Sequence, residues 1–82
     1  MKVVLSPQAI KYLKQLNEPI KGRILLALKQ LEQEPPLGDI KALAGQEGFR
    51  LRVGSYRILF GTKNDTIVVT NIAPRGRVYK RR

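Results

Sequence analysis

Residues 48–61 read GFRLRVGSYRILFG, and this stretch decides the fold. From residue 49 to residue 53 an apolar side chain at every second position alternates with arginine, which is the pattern of a β-strand with one buried face. Gly54-Ser55 is a turn signal, and residues 56–60 again alternate between inward-type and outward-type side chains. The stretch therefore predicts a β-hairpin with one apolar and one basic face.

Strands are also predicted on both sides of this hairpin. Residues 66–73 (TIVVTNIA) are almost continuously apolar and β-branched, which is typical of a well-covered interior strand. Residues 2–5 (KVVL) form a shorter run of the same kind at the N-terminus. Residues 35–48 contain two prolines and three glycines, and we expect them to form a connection.

Two helices are predicted between the first strand and this connection. Ser6 is suited to cap the first helix, and Pro7 suits its first position because the missing N–H has no partner there. Asn17 is the expected cap of the second helix, whose apolar stripe recurs at helical spacing between residues 20 and 31. So short a connection between two helices predicts an antiparallel helical hairpin.

These elements define the expected fold class, which is α+β. We expect residues 1–82 to form a single domain of two layers. An N-terminal strand and the helical hairpin would pack on a mainly antiparallel sheet of about four strands.

The composition excludes several classes of function. The chain of 82 residues has no cysteine and no histidine, so disulfides, cysteine nucleophiles and the usual structural zinc sites are excluded, and the commonest general base is missing. We expect no metal and no cofactor. No apolar run approaches the roughly 20 residues that cross a bilayer, and the N-terminus does not resemble a signal peptide. No membrane partner and a cytoplasmic location are therefore expected.

The formal charge of +10 is concentrated in the second part of the chain. Residues 1–48 carry seven basic and five acidic residues, whereas residues 49–82 carry nine basic residues and only Asp65. Seven of those nine are arginine, whose planar guanidinium suits phosphate better than the hydrated ammonium of lysine. This distribution indicates a polyanion as partner.

Strand parity places the arginines of the hairpin together. If Leu51 points towards the helices, Arg50 and Arg52 point away from them, and an inward Ile58 adds Arg57 to the same face. Like charges that face each other across a sheet are destabilising, so an anion bound there would explain the cluster. Two alternatives stay open at this point: a solvated basic face, and a register shift at the turn that moves Arg57 to the other face.

The C-terminal tail, RGRVYKRR, admits two interpretations. It is either a frayed basic end or a segment docked through its apolar–aromatic pair, which would bring Tyr79 close to the arginines. Nearby cations would lower the pKa of the phenol from its usual value near 10 and favour phenolate. Tyr79 is then either a packing aromatic or a general base for attack by a ribose 2′-OH, with arginines stabilising the phosphorane.

The segments GFRLRVGSYRILF and APRGRVYKR, separated by an apolar strand, resemble the RelE/ParE superfamily of bacterial and archaeal toxins. The order of elements and the chain length fit the same family. The resemblance implies a RelE-like fold and a toxin of a type II toxin-antitoxin system. In the RelE-like branch the activity is ribosome-dependent, metal-independent endoribonuclease cleavage of mRNA.

Carried over by position, the resemblance assigns residue roles. Arg57, Arg75 and Tyr79 would be catalytic, and Arg50, Arg52 and Arg77 would bind RNA, with Arg77 also an alternative to Arg75 in catalysis. The chain departs from the family pattern in two ways. Positions 50 and 52 are arginine, where lysine occurs in the best-known members, and the turn before Ser55-Tyr56 is shorter than in those members.

The expected partners are an antitoxin, acidic or helical, together with the ribosome and mRNA. Basic residues on the helices either contact ribosomal RNA or only keep the chain soluble; these are Lys11, Lys14, Lys21 and Arg23. Two alternative functions remain: a ParE-like inhibitor of DNA gyrase that acts by protein contact, and a non-catalytic basic RNA-binding module.

Overall fold

The computed structural model describes residues 1–74 and has one five-stranded sheet covered by two helices on one face. The strand order in the sheet is β1-β5-β4-β3-β2, with β1 parallel to β5 and all other neighbours antiparallel. The elements are β1 (Lys2–Leu5), α1 (Pro7–Gln15), α2 (Ile20–Leu31), β2 (Asp39–Ala42), β3 (Phe49–Val53), β4 (Tyr56–Lys63) and β5 (Thr66–Pro74). The α+β class is confirmed, and β5 is an interior strand as predicted.

The strand β2 corrects the expected count of about four strands. It pairs antiparallel with β3 and lies within residues 35–48, for which the sequence predicts a connection. Among its four residues only Ile40 packs against the core, and the other three are exposed. So short an edge strand is held by backbone hydrogen bonds to β3. Such bonds do not require alternating apolar and polar residues, so the sequence shows no strand pattern there.

The first residues of the two helices test the predicted caps, and the prediction is confirmed for α1 but not for α2. Ser6 caps α1 as predicted, since its Oγ accepts a hydrogen bond from the N–H of Ala9 at 3.1 Å. Helix α2 begins at Ile20, later than a cap at Asn17 implies, and its N-cap residue makes no side-chain cap. Instead Oε1 of Glu18 accepts from the N–H of Gly22 at 2.9 Å, so a carboxylate supports the first turn.

A β-bulge in β5 explains why its buried residues do not follow a simple period of two. Leu59 pairs with Asn71 and Phe60 pairs with Val69, so Thr70 is the extra residue. The inward side chains of β5 are accordingly Ile67, Val69 and Ile72.

One hydrophobic core lies between the sheet and the helices. It contains eleven buried apolar side chains among the described residues: Ala9, Leu13, Ile24, Leu28, Leu31, Leu51, Ile58, Phe60, Ile67, Val69 and Ile72. Because the helices cover only this face, the opposite face of the sheet is left for polar and charged side chains. Neither helix in residues 1–74 is both long and apolar enough to cross a membrane.

Two leucines of α2 test this assignment of faces. Leu28 is 5% exposed and Leu26 is 59% exposed. We expect Leu28→Ala to lower the free energy of unfolding by about 2–5 kcal/mol, because it leaves a cavity in the core. The matched variant Leu26→Ala should change it by no more than about 0.5 kcal/mol. Urea unfolding followed by circular dichroism measures both, and equal losses would contradict the orientation of α2.

Candidate functional site

The hairpin β3–β4 places its three arginines on the face of the sheet that the helices leave open. Val53 pairs with Tyr56 across a two-residue turn, and Gly54 has a φ of +59°, which glycine adopts without strain. Leu51 and Ile58 are buried under the helices, so Arg50, Arg52 and Arg57 point the other way. The predicted parity is confirmed, and the register shift considered for the turn does not occur.

Arg50 is the buried member of this set. Its residue is only 7% exposed, and its Nη1 donates a hydrogen bond to the backbone carbonyl of Asp39 at 3.2 Å. The Asp39 carboxylate lies 3.6 Å from the same nitrogen. Arg50 therefore ties the edge strand β2 to β3, and most of its guanidinium is out of reach of a large ligand.

Arg52 and Arg57 are directly opposite each other on β3 and β4. Side chains in this relation have Cβ atoms about 4.5–5.5 Å apart, so two positively charged side chains start from neighbouring positions on one face of the sheet. Nε of Arg52 is buried without a hydrogen-bond partner, and Arg52 forms no ion pair within the described residues. This pair is a concentration of positive charge to which an anion would bind favourably.

A shallow cavity of about 450 Å³ opens beside the arginine pair. Its lining includes Arg50, Arg52 and Arg57, together with Lys41 and Gln46. We call this space the basic cavity. Lys41 and Gln46 are exposed, and Lys41 pairs with Arg50 across β2 and β3. The sequence does not identify Lys41 as a site residue, because Lys41 lies in β2, which the sequence does not predict. Its spacing of two residues from Asp39, which would put both side chains on one face of a strand, is the only sequence feature that points to it.

Three predicted site residues lie outside the described residues: Arg75, Arg77 and Tyr79. The described chain ends at Pro74, which pairs with Tyr56, and the preceding Ala73 pairs with Arg57. Strand β5 thus ends beside Arg57.

Acidic residues are few around the basic cavity. Asp39 is engaged by Arg50, and Asp65 lies in the β4–β5 turn with a φ of +62°. Residues 1–74 contain no group of three or more acidic side chains that could hold a metal ion. What the described arrangement offers chemically is fixed positive charge and guanidinium N–H donors, which suit phosphate.

Comparison with known proteins gives consistent relatives. Residues 3–79 match the family model of the ParE toxin of type II toxin-antitoxin systems. The curated protein Toxin RelE3 of Methanocaldococcus jannaschii is 32% identical over 84 residues, which cover 96% of each chain.

Two solved structures share both the fold and part of the sequence. One is the RelB-RelE antitoxin-toxin complex from Methanococcus jannaschii, with a TM-score of 0.77 and 28% identity over 93% of this chain and 94% of the other. The second is the archaeal RelE-RelB complex from Pyrococcus horikoshii OT3, with a TM-score of 0.77 and 30% identity over 93% and 96%.

The different environments of Arg50 and Arg52 predict different effects on stability. Arg50→Ala removes a buried side chain and a charged hydrogen bond, so we expect a loss of about 1.5–3 kcal/mol in the free energy of unfolding. Arg52 lies directly opposite Arg57 on one side and Asp39 on the other, so Arg52→Ala removes a repulsion and an attraction that offset each other and should cost no more than about 0.5 kcal/mol. Both variants lose one positive charge, so each controls for the other. Equal losses in urea unfolding would show that Arg50 is not held by Asp39.

Proposed function

The chain belongs to the RelE/ParE family of toxins from type II toxin-antitoxin systems, and on this premise we propose that it is an endoribonuclease that cleaves mRNA on the ribosome. The observation that carries the proposal is the pair Arg52 and Arg57, set face to face at the wall of the basic cavity. A scissile phosphate in this cavity would be contacted by two guanidinium groups at once.

The pair would act mainly in the transition state. Attack on phosphorus adds negative charge to the phosphate oxygens, and groups that are already held close together stabilise this charge without reorganising. Arg57 is assigned to the reacting phosphate, as the family resemblance implies, and Arg52 to the RNA backbone. Lys41, exposed at the rim, adds a third cation that reaches solvent.

Arg50 receives a different role from that of a direct RNA ligand. Because its guanidinium is buried and bound to Asp39, we assign it to positioning: it holds β2 against β3 and adds its charge to the floor of the basic cavity. RNA contact by Arg50 itself stays a prediction from the family resemblance.

Tyr79 is the proposed general base, with Arg75 as a second stabilising cation and Arg77 as an RNA contact. Tyr79 follows Pro74 by five residues, so chain connectivity keeps the two within about 18 Å. The proposal is supported by the end of β5, which lies beside Arg57, a residue that lines the basic cavity.

The proposed cleavage is a transfer of phosphorus from the 5′ oxygen to the 2′ oxygen of the adjacent ribose. Tyr79 as phenolate takes the proton of the ribose 2′-OH, and the 2′ oxygen forms a bond to the adjacent phosphorus. The bond from phosphorus to the 5′ oxygen breaks, and this oxygen takes up a proton from solvent. The products are a 2′,3′-cyclic phosphate and a 5′-OH end, and no step calls for a metal ion. Because the substrate is ribosome-bound mRNA, the proposed place of action is the cytoplasm.

The protein partner of a toxin of this family is an antitoxin, and two similar structures are complexes of a RelE with a RelB. We propose that the antitoxin of this chain has an acidic segment and that this segment binds over the basic cavity. Carboxylates there would neutralise the Arg52–Arg57 pair as a phosphate does, and RNA would be excluded.

A second candidate function follows from the family model, whose description is that of a ParE toxin. A ParE-like chain would inhibit DNA gyrase by protein contact and would leave mRNA intact. The paired guanidinium groups favour the nuclease, because a protein contact does not require two arginines opposed within one cavity.

Cleavage of mRNA by the purified protein on programmed ribosomes tests the roles assigned to Tyr79 and Arg57. We expect Tyr79→Phe to lower the cleavage rate by about 10²–10⁴-fold, since it removes the base. Arg57→Ala should lower it by about 10²–10³-fold, the usual effect of losing one group that stabilises developing charge. Lys63→Ala, which removes an exposed cation elsewhere on β4, is the charge-matched control and should cleave at the wild-type rate. The proposed mechanism would be wrong if both site variants kept full activity.

The second prediction separates the two candidate functions in cells. Expression of the wild-type chain should stop growth and produce mRNA fragments with 5′-OH ends, which primer extension and end-labelling detect. Free RNA without ribosomes should be cut far more slowly. Intact mRNA together with stalled gyrase on DNA would establish the ParE-like function instead.

A further inference from the structure

A second cavity, of about 610 Å³, lies next to the basic cavity and shares part of its wall. Leu43 and Gln46 line both spaces, so the connection between β2 and β3 borders each of them. None of the three clustered arginines lines this second cavity.

Strand β4 leads from one cavity to the other. Arg57, Leu59 and Gly61 are successive outward positions on this strand, because Ile58 and Phe60 are buried inward. Two residues of strand advance about 7 Å, so Leu59 and Gly61 follow the arginine pair in short steps. A ligand that extends from Arg57 along β4 therefore enters the second cavity.

Gly61 leaves the floor of this cavity open. A Cβ built on Gly61 would meet no heavy atom within 4 Å, and the backbone there is not in the left-handed region. A Cβ at position 61 is thus accommodated without a clash and without backbone strain.

The chemistry of the lining differs from that of the basic cavity. Glu47 and Gln46 are exposed at its rim, Thr70 contributes a hydroxyl, and Leu59 supplies apolar surface. A carboxylate repels phosphate but accepts hydrogen bonds from base amino groups. Unstacked RNA bases are recognised by hydrogen bonds to their edges, which polar groups of this kind can form.

We propose that this second cavity binds the nucleobase adjacent to the phosphate held by Arg52 and Arg57, with Glu47 selecting a base that carries an exocyclic amino group. The inference rests on the proposed binding of RNA in the basic cavity. Uracil, which places its N–H between two carbonyl oxygens, would be disfavoured beside the carboxylate of Glu47. Phosphate contacts give affinity in this arrangement, and the second cavity gives sequence preference.

The test measures binding of 2′-O-methyl hexanucleotides, which cannot be cleaved by attack of the 2′ oxygen. Fluorescence anisotropy at fixed ionic strength compares oligo-C, oligo-A and oligo-U. We expect the wild-type chain to bind oligo-C or oligo-A at least about fivefold more tightly than oligo-U, the lower end for a specific base contact. Glu47→Gln, whose amide both donates and accepts, should reduce this ratio towards one. Gly61→Val, which adds apolar bulk on the cavity floor, should also reduce the ratio.

Controls separate this effect from charge and from folding. Glu34→Gln removes the same charge at an exposed site and should keep the wild-type ratio. Both site variants should keep the slope of log affinity against log salt, because the phosphate contacts are unchanged. Thermal unfolding verifies that Gly61→Val is folded, and Glu47→Gln alters only an exposed side chain.

Each result distinguishes the two proposals. RNA binding with the expected base ratio but without cleavage on ribosomes would overturn the nuclease and support the base cavity. Cleavage with base ratios unchanged in Glu47→Gln and Gly61→Val would overturn the base cavity alone. Loss of antitoxin binding in Gly61→Val with the RNA ratio unchanged would assign the cavity to the protein partner. Absence of hexanucleotide binding by the wild-type chain would overturn the base cavity, whereas cleavage on programmed ribosomes decides the nuclease independently.

Discussion

The register of the β3–β4 hairpin is the constraint on which the rest of the structure depends. Side chains alternate between the two faces of a strand, so a one-residue shift in the pairing of β3 with β4 would turn one strand over and send its arginine side chains into the core. The two-residue turn prevents this, because Gly54 takes the positive φ that pairs Val53 with Tyr56. Burial of Leu51 and Ile58 stabilises the same register from the other face. The core and the cationic cluster are consequently two results of one turn.

A sheet face with this much positive charge needs support from its neighbours. The edge strand β2 provides it, since Asp39 offers both a backbone carbonyl and a carboxylate to Arg50. The same strand adds Lys41, so positive charge around the basic cavity still exceeds negative charge. Any anion that binds there stabilises the folded chain by mass action. If RNA phosphate and an acidic segment of the antitoxin both bind there, as proposed, they compete for one site.

Local sequence patterns predicted those parts of the structure that hydrophobic burial controls. The α+β class, the hairpin parity and the Ser6 cap all follow from period and residue type, and the structure agrees. Strand β2 could not be predicted because its pairing depends on β3 and not on its own side chains. The burial of Arg50 could not be predicted either, because alternation shows on which face of the sheet an arginine lies but not which neighbouring residues cover it.

The two proposed functions, phosphate binding and base preference, rest on parts of the molecule under different constraints. Arg52 and Arg57 stand on strands whose inward residues build the core, so their positions are fixed by packing. Gln46 and Glu47 stand on the connection between β2 and β3, where substitutions do not disturb the core. Phosphate binding should thus be common to any chain that keeps this hairpin register. The proposed base preference depends on this connection through Gln46 and Glu47 and on β4, which carries both Arg57 and Gly61, so changes confined to the connection would alter it without moving the arginine pair.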